Sequence, residues 1–429
     1  MNVLIIDQLS ILPTFSKALE KIINTQLLNY LEKNNLLTMQ QFGFRKGMGT
    51  TDAIHSFADK ARKSLNDGKC LLGIFLDFSK AFDTINHSIL IQKMKNLGFG
   101  QSAVTWIENY LKNRTQCTKI KECFSKPQKV TCGVPQGSIL GPTLFLIYIN
   151  DLVNVLKYLT PILYADDTTL FIESSDLNSL IPNINSDLEA VTDWCRKNKL
   201  MLNSNKTWFT MIKNPQNKYN FIENALLIDN QIIQKSDNIK FLGIHLDHKL
   251  NWSNHITRLI SELTPFVGMI YRFSMYLPRQ ILLLLYNSFI HSKLSYCIET
   301  WGNAPKTFLE KIHKLQKKIM RIICKKPYDF ESKQLFQKNR VLNIYNLYKF
   351  KTLKRAHKTF FETHTNLNFA YRTRQSYFNL SVPLFKSSTG QKSSSYQESA
   401  LWNKLPIEIR SIENKIKFHK TLKNYLLNE

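Results

Sequence analysis

Apolar residues recur at helical spacing early in the chain: after Pro13, with Thr14 as a candidate cap, Phe15, Leu19, Ile22, Ile23, Leu27 and Leu31 define one face of an amphipathic helix. The pattern then changes. Residues 71–76 form a short continuous apolar run that stops at Asp77, as a buried strand would, and residues 85–97 return to helical spacing until Gly98. Residues 114–133 read as a hairpin. Pro142 suits the first turn of a helix reaching about residue 156, and residues 161–173 read as strand, turn and strand with Asp166 and Asp167 at the turn. A helix over 184–197 and a strand over 208–212 follow. This order fits the split β-α-β form, an α+β fold in which helices cover one face of an antiparallel sheet. Beyond residue 255 the pattern is helical and lysine-rich, with a Ser- and Gly-containing loop expected over 386–396.

Composition adds a partner class. The 429 residues suffice for two or three domains, and 58 Lys and Arg against 32 Asp and Glu leave a net charge of +26. The charge is uneven: residues 256–429 hold 30 basic and 10 acidic side chains, against 28 and 22 in residues 1–255. Such a field suits a polyanion, either nucleic acid or an anionic membrane surface. No apolar run approaches the length of a bilayer span, and no signal-type segment opens the chain, so stable membrane association is not expected. Seven cysteines without a Cys-x-x-Cys pair read as thiols in a reducing intracellular compartment, nucleus or cytoplasm. The spacing of Cys117, Cys123 and Cys132 fits no zinc pattern.

Candidate chemistry lies where strands end. Asp77 closes one strand and Asp166-Asp167 occupies a hairpin tip, so adjacent strands of one sheet could bring three carboxylates together. Clustered carboxylates repel and call for hard cations, and two Mg²⁺ ions about 3.5 to 4 Å apart can clamp both oxygens of a phosphoryl displacement. Nucleotidyl transfer is the chemistry this predicts. Between the two sites, residues 133–138 (Gly-Val-Pro-Gln-Gly-Ser) and Gly141-Pro142 form a rigid turn that opens a helix, with Gln136 placed to line a base pair.

Taken in order, these motifs resemble the reverse transcriptases of non-LTR (LINE-like) retrotransposons, close to the jockey and CR1 types. Residues 76–83 (LDFSKAFD) are similar to motif A, 133–142 (GVPQGSILGP) to motif B, and 164–167 (YADD) to motif C. Residues 41–45 (QFGFR) with Thr50-Thr51-Asp52 resemble a fingers motif, 188–206 motif D, 241–244 (FLGI) the primer grip, and the likeness runs on to residues 401–406. The resemblance implies a right-hand polymerase: partial fingers over 1–60, a palm with portions of the fingers over 61–255, a helical thumb over 256–330 and a basic region over 331–429. It implies RNA-directed DNA polymerase activity with an RNA template, a DNA primer or nicked target DNA, and dNTPs. Two Mg²⁺ ions, or Mn²⁺ in their place, would be held by Asp77, Asp166 and Asp167, with the Phe78 carbonyl as an extra ligand. Phe82 would be the steric gate against a ribose 2′-hydroxyl. Gln136 would contact the templating base pair or incoming nucleotide, Arg45 the template or triphosphate, and Lys206 would protonate the leaving pyrophosphate.

The family places an endonuclease before this region, so one is expected upstream or in trans, and a fuller fingers segment is expected to be missing. Asp7-Gln8-Leu9-Ser10 stand where relatives carry a basic residue before Pro-Ile-Ser. The competing expectation is a truncated, catalytically weak or inactive remnant that binds RNA/DNA hybrid.

Downstream, Leu309, Ile312, Leu315, Ile319 and Ile322 recur at helical spacing, with Lys311, Lys314, Lys317, Lys318 and Arg321 on the remaining faces. Placed after a palm, this helix resembles a thumb helix in contact with the phosphate backbone. The aromatics interleaved with Lys and Arg over 345–377 default to core positions.

Overall fold

The computed structural model describes residues 12–214, 221–222, 225–364, 378–385 and 387–429. The expectations for residues 7–10, for 365–377 and for Lys386 lie outside these. The chain divides into two compact units, one built from 1–53, 72–210 and 219–236, the other from 54–71, 211–218 and 237–429.

Helix α1 (Thr14–Lys33) opens the first unit; in chain order follow α2 (Thr50–Asn66), most of which belongs to the second unit, then β1 (Cys70–Leu76), α3 (His87–Asn96) and α4 (Gln101–Leu111). Four two-residue strands, β2 (Thr115–Gln116), β3 (Lys119–Ile120), β4 (Cys123–Phe124) and β5 (Gln128–Lys129), make the expected hairpin. Then come α5 (Leu140–Ile149), β6 (Thr160–Tyr164), β7 (Asp167–Ser174), α6 (Ile181–Lys197), β8 (Trp208–Ile212), β9 (Leu227–Ile228), β10 (Gln231–Ile232) and β11 (Gln234–Lys235). The main sheet runs β11-β8-β1-β7-β6, with β6 and β7 antiparallel. The β11–β8 pair is parallel, so the sheet is mixed where pure antiparallel pairing was expected. Apolar β1, buried at six of its seven positions, takes the central place such a run demands.

Local signals set several boundaries. Asn86 accepts from the Ile89 amide at 3.1 Å and starts α3, while Gly98, at φ +77°, ends it. Nine of the ten residues of α5 are buried, and Glu20 of α1 caps its start by accepting from the Ile139 amide at 2.7 Å. Buried Glu20 also accepts from the Tyr110 hydroxyl, and burial beside that carboxylate pushes the Tyr110 hydroxyl well above its usual pKa.

The expected stripe of α1 therefore needs correction: Leu27 and Leu31 are buried, Ile23 is half-buried, and Phe15, Leu19 and Ile22 are exposed, because the helix packs through Glu20, Leu27 and Leu31. Thr14 makes no cap bond.

In the second unit, β12 (Asn238–Phe241) and β13 (Ile244–Asp247) pair antiparallel around Leu242 and Gly243. The helices follow: α7 (Ser253–Phe273), α8 (Arg279–Leu285), α9 (Lys306–Ile323), α10 (Ser332–Lys338), α11 (Ile344–His364), α12 (Ser394–Asn403) and α13 (Lys415–Asn428). Helix α9 packs on α7, and α11 on α12 and α13. The loop expected over 386–396 ends early: Ser393 caps α12, which starts at Ser394. Arg62 is fully buried among Thr300, Asn303 and the Trp252 ring, and burial holds its pKa below the usual value. Among the described residues no helix is long and apolar enough to cross a membrane.

Candidate active site

The strand ends converge as the alternation demands. Asp77 follows β1 directly, and Asp166 sits in the turn Ala165-Asp166 that joins β6 to β7, closed by the pair Tyr164 and Asp167. Because β7 neighbours β1, the two carboxyl groups approach: burial first, and the negative charge of Asp77 with it, push the Asp166 carboxyl above the usual carboxylate range. Asp167 begins β7 and is exposed. Among the described residues no three metal-ligating side chains gather around one point, so the structure brings together the pair Asp77 and Asp166 and leaves Asp167 outside it. A half-buried carboxyl near a second carboxylate still fits a hard divalent cation, which would offset both charges.

The segment 201–203 lies along the other side of Asp77. Ser79 donates its amide to the Met201 carbonyl, the Asn203 amide donates to the Asp77 carbonyl, both at 2.8 Å, and Phe78 faces Leu202 between them. In such a pairing the flanking residues make the bonds, so the Phe78 carbonyl is not used by this ladder. Lys206 is exposed and ends the short helix Ser204–Lys206, whose entry is fixed by Asn203.

The turn carrying Asp166 is clamped from residues 38–43. Phe42 donates its amide to the Leu163 carbonyl and Leu163 donates to Gln40, covering the edge of β6. The Gln41 side-chain oxygen accepts from the amides of Gly43 at 2.8 Å and Ala165 at 3.3 Å. Ala165 has φ +56°, a left-handed conformation costly for a residue with a Cβ. Periodicity gave no hint of this clamp, although the Gln-Phe-Gly string marks the residues that make it.

Phe82 stacks on Phe145 with ring centroids 4.7 Å apart and meets the edge of Phe44 at 6.5 Å. Its backbone carbonyl accepts from Val134, and Gly133 donates to Ile85, so the 133–137 loop is laced to the turn after Asp77. Gln136 donates from its Nε2 to both carboxylate oxygens of Asp83, at 3.2 Å each. Arg45 is occupied elsewhere. Its guanidinium, 9% exposed, makes a bidentate pair with Glu32 and donates to the Thr38 carbonyl at 2.9 Å, and that pairing holds the Glu32 carboxyl below its usual range. It ties α1 to the clamp, and the expected template or triphosphate contact does not follow from this geometry.

On α9, Lys311, Lys314 and Lys318 are exposed. Lys317 lies 3.8 Å from Glu310, and Arg321 donates to the Phe330 carbonyl while stacking over the Tyr328 ring. Leu315 and Ile322 are only half-buried, and Gln316 and Met320 join the buried face.

An α+β sheet with acidic residues at the ends of adjacent strands, and a Gly/Pro loop bonded to the turn that follows Asp77, has the form of the palm of a right-hand polymerase. The reverse transcriptase (RNA-dependent DNA polymerase) family matches residues 8–246, and the chain belongs to it. It is 28% identical over 343 residues to the RNA-directed DNA polymerase from mobile element jockey of Drosophila melanogaster, covering 76% of this chain and 36% of the relative. It is 27% identical to the probable RNA-directed DNA polymerase from transposon BS of the same species, over 75% and 36%. The chain thus spans about a third of the length of the curated relatives it matches. An apo telomerase structure from Candida tropicalis aligns over 78% of this chain and 53% of its own at 14% identity and a TM-score of 0.41.

Proposed function

We propose that the chain extends a DNA primer 3′-hydroxyl with dNTPs on an RNA template, as the polymerase portion of a non-LTR retrotransposon. One observation carries the reading: half-buried Asp166 lies near enough to Asp77, at the ends of adjacent central strands, for the Asp77 charge to raise its pKa, an arrangement that is unfavourable for the fold and useful for binding cations. Asp77 and Asp166 would hold divalent cations, Mg²⁺ or Mn²⁺, with the Phe78 carbonyl available beside them and Asp167 joining on substrate binding. Bound cations would supply Lewis-acid stabilisation of the attacking and leaving oxygens.

The protein's own groups do the selecting. The Phe82 ring, backed by Phe145, would exclude a 2′-hydroxyl. Gln136, oriented by Asp83, would bond the nascent base pair, and Lys206 would deliver a proton to the departing pyrophosphate. Lys311, Lys314 and Lys318 would meet backbone phosphates, with Lys317 and Arg321 held by their intramolecular partners. The four spans expected from the sequence, partial fingers, palm, thumb and basic C-terminal region, belong to this same proposal.

The test is primer extension on a poly(rA)/oligo(dT) hybrid with Mg²⁺ and dTTP. Extension by the wild type and none by Asp166→Asn supports the proposal. Hybrid binding without extension in the wild type would favour the remnant that only binds hybrid.

A further inference from the structure

The hairpin over residues 114–130 has no place in the chemistry above. Its pairing is sparse: Thr115 with Lys129, Gln116 with Gln128, Lys119 with Phe124 and Ile120 with Cys123, plus a bond from the Ser125 amide to the Thr118 carbonyl. Every residue from 119 to 129 is exposed, and Ile120 and Phe124 near the tip are 63% and 68% exposed. A two-stranded hairpin standing in water is marginal, and two apolar side chains near its tip facing solvent favour an occupant.

Charge says which occupant. Residues 112–132 carry six basic side chains, Lys112, Arg114, Lys119, Lys121, Lys126 and Lys129, against Glu122 alone. The Lys119 ammonium stands 5.1 Å from the centroid of the Phe124 ring, so cation and ring face share one surface. An exposed aromatic ring among cations is the composition that stacks unpaired bases while following a phosphate backbone. A protein partner would find too little apolar surface here, and duplex gives a ring no base face to stack on.

Position says where. The strands can carry the tip up to about 25 Å from their base. At that base the chain runs from Val130, bonded to Arg114, directly into Gly133, whose amide is bonded to Ile85 beside Phe82 and Asp83. A Cβ on Gly133 would lie 2.6 Å from the Asp83 carbonyl oxygen, so the junction is rigid. We propose that this hairpin is an arm that grips single-stranded RNA template just outside the active site, through Phe124 stacking and the Lys119, Lys121 and Lys126 cations. The proposal rests on the polymerase reading for the identity of the strand, and the hairpin's own chemistry carries the class of ligand.

The experiment is a fluorescence anisotropy titration of the full chain with a labelled 20-nucleotide single-stranded RNA, repeated across salt concentrations. Lys119→Gln/Lys121→Gln/Lys126→Gln should lower the slope of log Kd against log salt by about 2. Phe124→Ala should weaken binding about 5- to 100-fold with the slope unchanged. Because these side chains are exposed, both variants should melt as the wild type does. Wild-type affinity and slope in both variants overturns the arm, as does an altered self-association with unaltered RNA binding. Primer extension on a short-overhang hybrid separates the two claims. Wild-type extension with arm-independent RNA binding removes the arm alone, while arm-dependent binding without wild-type extension removes the polymerase reading and keeps the arm as a single-strand binder.

Discussion

Gly43 lies so close to the turn bearing Asp166 that a Cβ built on it would sit 2.4 Å from the Ala165 amide nitrogen and 3.0 Å from the Tyr164 carbonyl carbon. Both neighbours are backbone, so neither can give way cheaply. Gly43→Ala should therefore displace the turn, cutting extension at least 10-fold and costing about 1–3 kcal/mol, the range for overpacking. Gly49→Ala, where the nearest atom is the end of the Asp52 side chain at 3.9 Å, is the control and should stay near wild type. Thermal melts and single-turnover extension of the two variants decide the point.

Ala165 stores strain in the same turn. At φ +56°, replacement by Gly should stabilise the fold by about 1 kcal/mol, while Val, with a branched Cβ, should destabilise it and lower extension. Denaturant unfolding compares the three.

Phe82 offers a readout that stability does not mimic. Stacked on Phe145, its ring is held in place, and trimming it to Val should leave dNTP use within about 10-fold while raising ribonucleotide incorporation. An unchanged sugar preference removes Phe82 from the gate role.

In the proposed function, Asp83 orients Gln136, whose Nε2 donates to both of its carboxylate oxygens. Asp83→Ala frees the Gln136 amide and should raise the KM for dNTP several-fold, with a smaller change in kcat, since the lost bond holds a binding group. Asp83→Asn, which keeps one acceptor, should recover part of the loss.

Acid should weaken the second unit in a defined window. Burial lowers the His255 pKa to about 4, and those of His313 and His419 also fall to about 4. A histidine whose folded pKa lies below its unfolded value of 6.5 binds its proton more readily when unfolded. Stability is therefore retained above 6.5 and falls as pH drops from 6.5 to 4, by about 3 kcal/mol for His255 at 1.36 kcal/mol per unit. Melting temperature against pH for the wild type and His255→Phe checks this: the variant should show a shallower decline.

Much of this was legible where the signal is local. The apolar run ending at Asp77, the helix after the Pro142 loop, and the strand-turn-strand around Asp166 were all readable, because burial and turn chemistry leave a mark within a few residues. Partners distant in the chain left none. Nothing around Arg45 announces Glu32, nothing on α1 marks Glu20 as the cap of α5, and the pairing of 201–203 with 77–79 has no pattern of its own. The third carboxylate was less legible: the motif sets Asp167 beside Asp166, but Asp166 lies in the turn while Asp167 opens β7 and is exposed, and among the described residues no three such groups gather.

The most direct measurement is single-turnover extension of a hybrid at saturating protein and Mg²⁺, comparing wild type with Asp77→Asn and Asp166→Asn while hybrid affinity is followed in parallel. Extension should be lost by at least 1,000-fold in both variants with affinity nearly unchanged. Extension within 10-fold of wild type in either variant would contradict this.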